Sequence, residues 1–153
     1  MSIADLSSDA HSALVSAGWS RQFSREVPEE FLEFCEGLGR TPPTPVVEVV
    51  RRFQGMTLSH PHFYDSSISI ETVVDAGMAC RNVSDALLIS KYEPAARVEL
   101  FPVAQTPYGL FFALGADMAL YGFHDPHLGL YGFDFVDFLN LLYDDRAPIS
   151  LIG

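Results

Sequence analysis

A chain of 153 residues, 48% hydrophobic and with twelve Phe, has the material for one packed domain over residues 1–153, with a radius of gyration of about 15 Å and roughly two-thirds of its unfolded surface buried. Twenty Asp and Glu against nine Lys and Arg leave a formal charge of −11, which repels nucleic acid and anionic lipid and attracts a basic partner; acidity kept for solubility alone is the plain alternative. The first twenty residues have neither a basic n-region nor an unbroken apolar h-region, and the most apolar stretch is broken by Asp117 and Asp125, so the expectation is a cytoplasmic protein with no signal peptide and no membrane-spanning helix.

In chain order, Leu6, Ala10, Ala13, Leu14 and Ala17 share one stripe and predict a helix from about Ile3 to Ala17, stopped by Gly18, with Trp19 folding back into the core. A second helix opens after Pro28, with Phe31, Phe34, Cys35 and Leu38 on one face and Glu29, Glu30, Glu33 and Glu36 on the other; Gly37 and Gly39 end it. Pro45 starts a third, striped by Val46, Val49, Val50 and Phe53. Beyond Gly55 the period changes to two in "MTL" and "SISI", which predicts short strands around a loop, followed by helical segments at about Glu71 to Met78 and Ser84 to Tyr92, the latter capped by Ser84 and closed by Pro94. From Val98 onward, "VELFPVAQ", "LFFALG", "MALYGF" and "LGLYG" read as strands joined by the short turns "TPYG", Ala116-Asp117 and "HDPH", an antiparallel meander. Asp134 caps a closing helix, "FVDFLNLLYDD", whose apolar face is Phe135, Phe138, Leu139 and Leu142. The predicted class is α+β, N-terminal helices packed on a mainly antiparallel meander with a closing C-terminal helix.

The chemistry-bearing residues point to no reaction. A tight turn can bring His124 and His127 to one ion, and His60 and His62, with an oxygen from Asp65 or Asp125, would complete a set on paper. Asp and Pro are also ordinary turn residues, so a plain hairpin is the competing reading. No Gly-x-Ser-x-Gly elbow, phosphate loop or Cys-x-x-Cys is present; Cys35 and Cys80 read as buried thiols, and Arg51-Arg52 is the only adjacent basic pair. The expectation is therefore no catalysis, no cofactor and no nucleic-acid ligand.

Taken in order, "LVSAGWSR", "VVRRFQGMTL", "KYEPAARVELFPVAQ" and "DFVDFLNLLYDD" resemble the SUKH superfamily, in particular its third family of bacterial immunity proteins: a helix ending in Ala-Gly-Trp with a nearby Arg, a Phe-Gly-Gly-Leu helix end running into a strand, a Tyr-Glu pair leading to a Leu-x-Pro strand, and a closing helix. The strings span nearly the whole chain. Gln54 stands where the family's first Gly is usual, the Arg near Trp19 is Arg21 or Arg25 at an altered offset, and Ala116-Asp117 replaces an Asp-Gly turn. The resemblance implies a non-catalytic domain that neutralises a cognate toxin, often a nuclease or nucleic-acid deaminase, whose basic groove an acidic surface would occupy. The expected contact residues lie in turns and loops: Asp65, Glu71, Asp117 and Asp125, with Tyr108 and Tyr121 as amphipathic anchors. Trp19, Arg21 and Gly55 are given structural work. Two rivals remain: a metal enzyme using His60, His62, His124 and His127, and a regulatory scaffold that binds a cellular protein or small ligand.

Overall fold

The structure, a computed structural model, describes residues 2–152. A single 3-10 turn, Ile3–Asp5, precedes helix α1, Ser8–Ser16. The helix starts later than its apolar stripe suggests because the Ser7 hydroxyl takes the Ala10 N–H and sets the N-cap there. Its end follows the expected pattern: Gly18, at φ +100°, lets Trp19 N–H reach back to the Leu14 carbonyl. Helix α2, Glu29–Gly37, closes the same way through Gly39, with Arg40 N–H on the Cys35 carbonyl. Helix α3, Thr44–Phe53, buries Val46, Val49, Val50 and Phe53.

Seven strands follow in one sheet whose spatial order is their chain order, every neighbouring pair antiparallel. They are β1 Met56–Pro61, β2 Ser69–Val74, β3 Leu100–Gln105, β4 Phe111–Gly115, β5 Leu120–His124, β6 His127–Gly132 and β7 Ile149–Ile152. The predicted α+β meander is thus the architecture observed. Among the described residues a single pair, Val73–Gln105, joins β2 to β3, so the β1–β2 hairpin forms one wall and β3 to β7 another.

Two expectations in the interlude need correction. Residues Glu71–Val74 are strand, not helix: Ile70, Thr72 and Val74 alternate inward with Ser69 and Glu71 outward, and β1 pairs along the whole segment. Helix α4, Ala76–Asn82, begins only after Asp75, whose carboxylate accepts the Met78 N–H. The Gln54 side chain bridges this start, donating to Asp75 Oδ1 at 2.8 Å and accepting from Ala76 N–H at 3.0 Å. Ser84 caps the next segment as expected, with its hydroxyl on Leu87 N–H. Pro94 does not close that segment. Helix α5, Asp85–Leu87, widens into a π turn, Leu88–Tyr92, and Pro94 lies in the first turn of α6, Glu93–Ala96, where its missing N–H leaves no gap; Arg97, left-handed at φ 60°, ends the helix. The closing helix α7, Phe135–Leu141, is capped by Asp134 as expected and stops short of Asp145.

Helices cover both faces of the sheet. On one face an aromatic chain runs Trp19–Phe53–Phe135–Phe138–Phe112–Tyr131, with consecutive ring centroids 4.7 to 5.7 Å apart. Trp19 is buried core, as its place after a helix end predicts, and its Nε1 donates to the Arg52 carbonyl. On the other face Leu88 and Tyr92 pack on Leu100, Tyr121, Phe123 and Leu128.

Candidate functional site

The six expected contact residues fall into three groups. Asp65, Glu71 and Tyr108 are exposed. Asp65 lies in the loop between β1 and β2, where the Ser67 hydroxyl and N–H both donate to it; the hydroxyl bond is the main reason its carboxyl is held below the usual value. Glu71 stands on the outward face of β2 opposite Ser59. Asp117 and Asp125 are exposed but engaged within the chain. Asp117 accepts from the Tyr121 hydroxyl at 2.8 Å and from Ala119 N–H, so it holds the β4–β5 turn. Asp125 pairs with Lys91 at 2.5 Å, and that bond lowers its pKa. Tyr121 corrects the expectation of an exposed anchor. Its ring is buried against the second core, because β5 alternation turns it toward Leu88 and Tyr92, and burial together with the Asp117 bond raises its hydroxyl to about 12.

The four-histidine set does not assemble. His60 points into the core, with Nε2 2.7 Å from Thr72 Oγ1 and Nδ1 2.9 Å from the Pro61 carbonyl, so neither nitrogen is free for a metal. His124 and His127 close the β5–β6 turn with ring centroids 5.4 Å apart, on either side of a cis Asp125–Pro126 bond. Among the described residues no three His, Cys, Asp or Glu converge as metal ligands. Cys35 and Cys80 are buried free thiols whose pKa values burial raises, Cys35 to about 11.

What the sequence reading missed is a groove of about 810 Å³ between the two walls of the sheet. Its floor is Gly122 and Gly129, directly opposite each other in the β5–β6 pair, and the ring of Tyr131. One side is the β1–β2 loop, where Phe63 packs edge-on against Tyr131 and Phe112. Tyr108 of the β3–β4 turn, His124 and His127, and Ser150 of β7 complete the circuit. Burial, with the Tyr64 phenol adding to it, pushes the Tyr131 hydroxyl well above its ordinary value, so it stays a neutral donor. In a chain with twenty-nine Asp, Glu, Lys and Arg, none of the four lines this groove.

The volume falls in the range of small-molecule and side-chain pockets, and the predominance of rings over charges suits an apolar occupant oriented by a few hydroxyls and imidazoles. Two signals foreshadowed it, the repeated Tyr-Gly at strand ends and the aromatic-rich "HFYDSSI" loop, but nothing in the sequence shows that the loop folds across to β6. The described helices include none long and apolar enough to cross a membrane. No family model, no curated protein and no solved structure matches the chain.

Proposed function

We propose that the protein is a cytoplasmic immunity protein that binds and neutralises a basic, nucleic-acid-acting toxin of bacterial competition and performs no catalysis itself. One observation carries this reading: among the described residues, six of the twenty carboxylates form ion pairs with Lys or Arg. Carboxylates that cap helices, such as Asp75 and Asp134, are satisfied by backbone N–H groups and not by a cation, so the field of a −11 chain reaches solvent. Such a field speeds encounter with a positive groove and competes for the surface a phosphate backbone would use. The resemblance of four ordered strings to a SUKH immunity family supports the same reading. The neutral groove also suits a regulatory scaffold that holds a cellular protein or small ligand, which is the second reading.

Co-expression with the toxin encoded beside this gene is the direct test. Survival of cells carrying both genes, and death of cells carrying the toxin alone, is the expected result; absence of any toxin gene nearby favours the scaffold. Steering is tested by reversing Glu33 and Glu36, which are exposed on α2 and line no part of the groove. Each Glu→Lys change adds two charges, taking the formal total from −11 to −7. The association rate should fall about threefold to tenfold at low salt while dissociation changes little. The difference should vanish toward about 500 mM salt, where the Debye length is only a few ångströms.

A further inference from the structure

The groove opens beside an exposed sheet edge, approached from the second-core side only by the short helix α6. Among the described residues β7 pairs with β6 alone, and its four residues, Ile-Ser-Leu-Ile, carry no charge, proline or glycine. Edge strands are ordinarily protected by such residues or by a covering element, because their free N–H and C=O groups recruit another strand. The apolar surface gathers at the same place. Of the ten exposed large hydrophobic residues described, Tyr64, Ile68 and Tyr108 line the groove and Ile149 and Leu151 lie on β7. Three of the ten therefore line the groove itself, and β7 adds two along its edge, Ile149 facing the second-core side with its partner Leu130, whereas such residues scattered singly would be unremarkable.

We propose that an extended segment of a protein partner adds to the free edge of β7 and lowers an aromatic or long aliphatic side chain into the near end of the groove, over Ser150 and toward Gly129, with basic residues flanking that anchor. Strand addition supplies main-chain hydrogen bonds, and alternate side chains supply selectivity, here through one neutral, ring-lined pocket. A small molecule would use the groove but has no need of the exposed edge or of Ile149 and Leu151 beside it. A second copy of this chain is disfavoured by charge, since it would bring −11 against −11. The same field favours Lys or Arg on the incoming strand, with exposed Asp65 in the groove-side loop available to meet them. The inference rests on the proposed toxin-binding reading only for the basic character of the partner.

The experiment uses the full chain and a displayed library of random twelve-residue peptides, so it requires no toxin. Selected peptides should share an aromatic or aliphatic anchor flanked by Lys or Arg. Their amide-shift footprint should cover β7, the β3–β4 turn and the β1–β2 loop, with new hydrogen-exchange protection in β7. Leu151→Glu and Tyr108→Glu, both at exposed positions, should retain the wild-type fold by amide spectrum and weaken binding about tenfold or more. A Ser150→Pro variant, tested in parallel, should lose the β7 protection. Peptides that bind elsewhere, or binding that both Glu variants leave intact, would overturn the proposal. So would concentration-dependent protection of β7 without peptide, which assigns the edge to a second copy, or a groove that takes neutral aromatic fragments but no peptide. Failure of the co-expression test with the peptide result intact removes the toxin and leaves the strand-addition site.

Discussion

The Tyr131 ring lies against Gly122, the residue that faces Gly129 across the β5–β6 pair: a Cβ at Gly122 would come within 3.0 Å of three ring carbons, and one at Gly129 within 3.2 Å of the same ring. Neither glycine has a positive φ, so it is room for the ring, and not backbone freedom, that excludes a side chain here. Gly122→Ala should therefore destabilise the protein by about 1–3 kcal/mol through overpacking, lowering Tm by roughly 2–4 °C per kcal/mol for a domain of this size. Adding Tyr131→Leu should recover part of the loss, because the two changes share one contact. Thermal melts of both singles and the double decide it, and simple additivity would mean that the ring does not set the requirement.

This contact also shows where reading the sequence stops. Period-two alternation located β3 to β6, and Gly, Pro, Ser and Asp placed most helix ends, because those signals act within a few residues. Glu71–Val74 departs from the expected helix because four residues allow either period, and the deciding term is pairing with β1. Strand β7 escaped because "ISLI" is too short to show a pattern, and it forms only against β6. The groove depends on contacts such as Phe63 with Tyr131, 68 positions apart in sequence, which no local periodicity encodes. Tyr121 illustrates the same limit, since alternation tells that its face differs from that of Leu120 but not which face a helix will cover.

Arg40 and Glu93 tie the end of α2 to the start of α6. The guanidinium holds both carboxylate oxygens, at 2.5 and 3.1 Å, with the two side chains only 10% and 12% exposed. Glu93 also accepts the Leu100 N–H at 2.7 Å, fixing the start of β3. Glu99 stands 3.3 Å from Arg40 Nε at ion-pair distance without hydrogen-bond alignment, and it is more than half exposed. Removing one member of a buried pair leaves the other desolvated and uncompensated, which costs about 3–5 kcal/mol. Arg40→Met should fall in that range. Glu93→Gln should cost less, because Glu99 remains beside the cation, and the double variant should be more stable than the sum of the singles predicts. Urea unfolding of the four proteins measures the coupling; a coupling near zero would show that the pair contributes no more than an exposed one.

His60 makes stability depend on pH within a defined window. Burial is the largest influence on its imidazole and holds the pKa below the ordinary 6.5; the Pro61 carbonyl opposes that shift, and nearby His62 adds to it. In the unfolded chain the same ring titrates near 6.5. Between the lowered folded value and about 6.5 the unfolded state therefore binds a proton that the folded state refuses, so stability is complete above about pH 6.5 and falls as the pH drops through that window, by up to about 1.4 kcal/mol per pH unit. Carboxylates in an acidic chain introduce their own dependence at lower pH, so the informative quantity is a difference. His60→Gln keeps one donor and one acceptor for Thr72 and the Pro61 carbonyl but does not titrate. The stability of wild type minus that of the variant, measured by denaturant unfolding from about pH 8 to pH 5, should be flat above about 6.5 and decline below it. A difference that stays level across the range would mean that His60 binds its proton equally in the folded and unfolded states, so that burial does not lower its pKa.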